Sequence, residues 1–139
     1  MMKKYELVLD SSVEFMGTKL YQIRALIKFG NIEKGELGGY IATEKNLAQV
    51  SGNAWVSGDA RVYGNDKLKI TPINIIGLAW DVTITPTHMV IGCERHSHVD
   101  WSKFNTKRIE TMSNNAVHFW KQHKAMLLAL CKSHAKAKC

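Results

Sequence analysis

The chain has 139 residues, 45% of them hydrophobic, and carries a formal net charge of +7. That length supports a real core in one domain or two small ones, and that apolar fraction excludes an intrinsically disordered chain. No stretch approaches the ~20 consecutive apolar residues of a membrane span, so neither a membrane-spanning chain nor a membrane partner is expected.

The N-terminus, "MMKKYELVLD", is broken by an acidic residue too early for a signal peptide. Its alternation at Tyr5, Leu7 and Leu9 predicts a strand over 3–9. Leu20, Tyr21, Ile23 and Ile27 predict a second strand over 19–27 that runs into a turn. Gly38-Gly39 requires unusual backbone angles or a close approach. Tyr40 and Ile41 are expected to cover one end of the segment beyond them, and Leu47 to join it.

That segment is a repeat. In "VSGNAWVSGDARVYGND", residues 50–66, Val50, Val56 and Val62 recur every six positions, and Leu68 continues the series. Gly52, Gly58 and Gly64 keep the same step, as do Asn53, Asp59 and Asn65. A helix would spiral such valines around its axis, and a plain strand would be broken by the glycines. One short strand plus one corner per unit fits better. The valine then points inward, and glycine with Asn/Asp takes the corner, where left-handed backbone is tolerated. The expected architecture is a short hexapeptide solenoid, like a left-handed β-helix, of about one coil. Two tight hairpins with coincidental spacing are the plainer alternative. Alternation points Trp55, Arg61, Tyr63 and Lys67 out of the coil, as a contact surface for another protein chain or as a surface that packs on the chain's own terminal segments. A single coil leaves both ends open, which predicts a homo-oligomer or a covering segment.

Beyond Pro72 the chain changes character. "INIIGLAW", "DVTIT" and "HMVIG" predict two or three antiparallel strands. "HVDWSKF" and "NTKRIETM" predict two short helices. A long helix is predicted from Asn114, capped by Ser113 or Asn114. Its apolar stripe comprises Ala116, Phe119, Trp120, His123, Met126, Leu127 and Leu130. The fold class expected is therefore mixed β and α+β: residues 1–70 as strands plus the short solenoid, residues 71–139 as an α+β module with a long C-terminal helix.

The stretch "LYQIRALIKFGNIEKGELGGYIATEKNLAQVSGNAWVSGDARVYGN" resembles small phage and prophage proteins with a Gly-Gly lead-in and GNAxV hexapeptides. The later "IGCERHSHVDW" and the "FW" helix resemble the module that comes after those repeats. Such proteins often carry many more units, so the resemblance directs attention to the C-terminal module here. It implies an accessory protein of a mobile element that works by binding in the host cytoplasm. The expected partner is a host protein or complex, and the expected role is inhibition of a host defence component in the manner of an anti-CRISPR protein.

Three side-chain groups carry other chemistry. Cys93 and His96 have Cys-x-x-His spacing, and with His123 and His88 they make a candidate zinc set. No second matching pair exists, so no cofactor is the plainer expectation. The same Cys93 with His96 or His123, oriented by Asp100 or Asn74, is the candidate for a thiol enzyme. An acyltransferase prism is disfavoured, because the repeat contains no histidine. Charge supplies the third group. Residues 1–100 hold eleven Lys/Arg and eleven Asp/Glu, whereas 101–139 hold eight Lys/Arg against Glu110 alone. Lys103, Lys107, Arg108, Lys121, Lys124, Lys132, Lys136 and Lys138, with Trp101 nearby to stack on bases, are the candidate nucleic-acid surface. The plainer expectation for Trp80, Trp101, Phe119 and Trp120 is the core of the C-terminal module. An acidic protein partner accounts for the same charge. Three cysteines cannot all pair internally; with Cys131 in a helix and Cys139 terminal, a reducing, intracellular setting is expected.

Overall fold

A computed structural model describes residues 3–15, 17–50 and 52–135; Lys136, Lys138 and Cys139 lie outside the described residues. It is an α+β fold with two four-stranded sheets. In the first, β1 (Tyr5–Phe15) and β2 (Thr18–Ala25) form an antiparallel hairpin. β3 (Leu37–Ile41) pairs antiparallel with β2, and the two-residue β4 (Arg61–Val62) pairs parallel with β3. The inward alternation of β1 holds at Tyr5 but is lost at Leu9, which is 73% exposed. The register shift between Val8 and Ser12 is the cause, because a slip in pairing re-aims every later side chain.

The expected solenoid is absent. Among the described residues there is no closed sheet and no stack of coils; residues 52–70 are turns and irregular segments, with β4 and an isolated parallel bridge from Leu47 to Leu68. The six-residue period survives as burial: Val56, Val62, Leu68, Ala54 and Ala60 all turn inward, and Gly52, Gly58 and Gly64 all adopt positive φ. Val50 breaks the series at 51% exposed. The physical reason is length. One pass of the repeat has no second coil to stack on, so the first sheet closes over it instead. The Gly39 and Tyr40 amides donate to the Val56 and Ala60 carbonyls at 2.7 and 2.9 Å. Gly38 and Gly39 serve this close approach. A Cβ on Gly39 would lie 2.6 Å from the Ala60 carbonyl oxygen, whereas neither glycine has a positive φ.

The second sheet is an antiparallel meander of β5 (Ile73–Ile75), β6 (Val82–Ile84), β7 (His88–Ile91) and β8 (Glu94–Ser97). β8 is one strand more than expected; "ERHS" shows no apolar alternation. Then come α1 (His98–Lys103), α2 (Thr106–Glu110) and α3 (Ala116–Ala135). Ser97 and Asn105 cap the two short helices by accepting from the Asp100 and Arg108 amides. On α3 the buried side is Ala116, Phe119, Trp120, Leu127, Cys131 and His134. Met126 is 44% exposed, so the buried stripe is rotated from the expected one toward Cys131 and His134. Among the described residues, no helix is long and apolar enough to cross a membrane.

Pairing places alternate residues of the second sheet on opposite faces. Ile73, Ile75, Val82, Ile84, Met89 and Ile91 face the helices and join Trp101, Ile109, Phe119, Trp120 and Leu127 in one core. Asn74, Thr83, Val90 and Arg95 face the other way, onto the repeat segment. That segment belongs to the other core, with Tyr5, Ile23, Ile41, Leu47, Trp55, Val56 and Val62. The repeat is thus a layer between the two sheets.

Candidate functional site

The hairpin of β7 and β8 turns through Gly92 and Cys93, with Gly92 at φ 56°. Cys93 is therefore exposed at a tip. His96 pairs with Met89 and faces the helices, where its ring sits edge-on to Trp101 and Phe104 at 5.1 and 4.9 Å. Its Nε2 hydrogen-bonds Glu94 Oε1 at 2.7 Å. His88 pairs with Ser97 on the opposite face of the same hairpin, and His123 packs against Phe119 on α3. His88 and His96 cannot share one ion across a sheet, so the expected zinc set does not assemble. Among the described residues, no three His, Cys, Asp or Glu side chains converge as a metal site requires. An apolar cleft of about 50 Å³ lies beside Cys93, walled by Trp80, Trp101 and Met112. No imidazole is among its lining residues, so neither His96 nor His123 meets Cys93 there as the expected base. Asp100 and Asn74 do not orient one either: Asn74 donates to the Ser57 carbonyl.

The expected outward surface of the repeat is also rearranged. Trp55 is buried at 3% exposure, edge-on to Phe29 at 5.5 Å. Only β-alternation would have pointed it outward, and residues 52–60 form no strand. Tyr63 is half-buried between Phe15, at 5.7 Å, and the Arg95 guanidinium, at 5.2 Å. Burial pushes its hydroxyl pKa up. Arg61 lies over the Phe15 ring at 4.5 Å. Lys67 alone of the four is exposed.

The residue that organises this region is Asp66, which sequence reasoning passed over. Its side chain is 2% exposed. Oδ1 accepts from the Thr85 and Thr87 hydroxyls at 3.1 and 3.3 Å and lies 3.4 Å from His88 Nδ1. Oδ2 lies 3.1 Å from Arg95 Nη2, an ionic contact without hydrogen-bond alignment. Arg95 Nη2 also donates to Asn65 Oδ1 at 3.0 Å. One carboxylate therefore pins the second sheet to the repeat. Burial lowers the His88 pKa, the Arg95 charge lowers it further, and Asp66 opposes both. The signal in the sequence was small: the third unit alone has two consecutive Asx residues, Asn65 and Asp66. Arg61 Nε, Asp66 Oδ2, Asn74 Oδ1 and Arg95 Nε are all buried without a hydrogen-bond partner, so this junction is a less satisfied seam than either core.

The basic helices are the most exposed functional candidate. Lys107 and Arg108 on α2 and Lys121, Lys124 and Lys132 on α3 are all exposed. At 100° per residue the three α3 lysines fall within an arc of about 80°. None of these five side chains is in an ion pair among the described residues. Arg108 lies over the Phe104 ring at 5.0 Å. Trp101, expected in the C-terminal core and offered for base stacking only as the alternative, is 2% exposed, and its Nε1 donates to the Met89 carbonyl at 2.8 Å. It is core and cannot stack on a base. No family model, no curated protein and no solved structure matches the chain.

Proposed function

We propose that the chain is an accessory protein of a phage or prophage that acts by binding, without catalysis, in the host cytoplasm. Its partner is an acidic surface of a host protein or complex, and its effect is inhibition of a host defence component in the anti-CRISPR manner. The observation that carries this reading is the row of Lys121, Lys124 and Lys132 on one exposed side of α3, none of them paired with a carboxylate among the described residues. Unpaired charge of one sign steers a partner of opposite sign and sets specificity. Self-association belongs to the same reading: β1 is a sheet edge, and Leu9 on it is 73% exposed. A nucleic-acid partner is the competing source of negative charge, and burial of Trp101 removes its stacking platform. A thiol or metal enzyme at Cys93 and His96 is the weaker alternative, since those side chains do not meet.

The test is plating efficiency of a phage on a defence-positive host that expresses the chain. Rescue is expected for the wild type and is expected to be lost in Lys121→Glu/Lys124→Glu/Lys132→Glu, at unchanged melting temperature. Rescue that survives triple reversal would remove the lysine row from the mechanism. No rescue by the wild type in a panel of defence systems would overturn the inhibitor reading.

A further inference from the structure

A cavity of about 550 Å³ opens between the loop after β5 and the first turns of α3. That size falls in the range of small-molecule sites. One wall is a continuous aromatic run: Trp80 meets Phe119 edge-on at 5.1 Å, and Phe119 meets the His123 ring at 4.7 Å. Trp80 is held from behind, since a Cβ on Gly92 would touch its ring at 3.1 Å. The rest of the lining on the α3 side is polar. Asn115, His118 and Gln122 line the cavity and are exposed, so their amide and imidazole groups are available to a ligand. Their spacing of three and four residues puts them on one side of the helix. No Asp, Glu, Lys or Arg lines the cavity, and the lysine row of α3 points away from it.

We propose that this cavity binds the base of a nucleoside or nucleotide. A planar heteroaromatic ring presents a π-face to the half-buried Trp80 or His123 ring, with the buried Phe119 behind them. Its edge offers adjacent donors and acceptors, the pattern a carboxamide meets with two hydrogen bonds. A purely apolar ligand would leave both carboxamides and His118 unpaired. Because no fixed charge lines the cavity, the base is the recognised part and a phosphate projects into solvent. Nucleoside and nucleotide therefore bind alike. The base comes either from a free mononucleotide or from an unstacked position in a single strand.

The experiment is saturation-transfer NMR on the full chain with adenosine, AMP, uridine, UMP, ribose 5-phosphate and a short single-stranded oligonucleotide. Transfer to base protons is expected, with adenosine close to AMP or uridine close to UMP. Asn115→Ala and Gln122→Ala, both at exposed positions, are each expected to weaken binding about three- to tenfold, with the melting temperature of each variant as the folding control. An oligonucleotide that outcompetes the mononucleotide assigns the base to a strand; the reverse assigns it to a free nucleotide. Ribose 5-phosphate binding as well as AMP, no transfer to any base, or binding unchanged in both variants would each overturn the proposal.

Discussion

Replacing Asp66 with alanine should unseat the second sheet from the repeat. The change removes the acceptor for the Thr85 and Thr87 hydroxyls and leaves Arg95, whose side chain is 16% exposed, without its carboxylate. Removing one partner of a buried ion pair costs about 3–5 kcal/mol, because the remaining charge stays buried and uncompensated. At about 2–4 °C per kcal/mol for a chain near this size, the melting temperature should fall by roughly 6–20 °C. Asp66→Asn should cost less, since it keeps an acceptor for the threonines and loses only the charge. The pairwise origin is checked by a double-mutant cycle in urea, monitored by circular dichroism. Asp66→Ala/Arg95→Met should be more stable than Asp66→Ala alone, because the stranded guanidinium is gone. A cost below about 1 kcal/mol would place the contact among weak surface pairs, and strict additivity would show that the two side chains do not interact.

Two further outcomes concern the same seam and the layer beneath it. The His88 pKa is lowered from 6.5 by burial and by Arg95, so below 6.5 the unfolded chain binds more protons than the folded one. The neutral ring's contribution is complete above that value and is lost as pH falls through the lowered folded pKa. His98 and Asp100 also face His88, the first lowering and the second raising its pKa. His88→Gln should therefore lose less stability than the wild type between pH above 6.5 and pH below it; equal loss in thermal melts would exclude His88 as the source. Gly39→Ala should lower the urea midpoint by about 1–3 kcal/mol of stability, the usual range for overpacking. The added Cβ meets the Ala60 carbonyl at 2.6 Å and Val56 Cγ1 at 2.8 Å. An unchanged midpoint would show that β3 can lift off the repeat.

Local signals in the sequence determined the elements whose residues decide their own conformation. The two short helices α1 and α2, the positive-φ glycines at six-residue steps, the apolar runs of β5 to β7 and the long α3 all depend on neighbours within a few positions, and all are present. The inward phase of Val56 and Val62 was legible for the same reason. Tertiary structure decided what those elements pack against. A repeat specifies its corners but not its stacking partner, so the expected solenoid gave way to a single turn-rich layer between two sheets. Trp55 went into a core, because an indole loses more free energy exposed than a local pattern can recover. His88 and His96 were parted by the strand they flank, which no Cys-x-x-His spacing encodes. Asp66 became the pin of the molecule only because the second sheet's polar face arrives from 19 or more residues further along the chain. The lysine row of α3 needed no such arrival: it is set by helical period alone, and it stays on the surface because nothing acidic comes after Glu110.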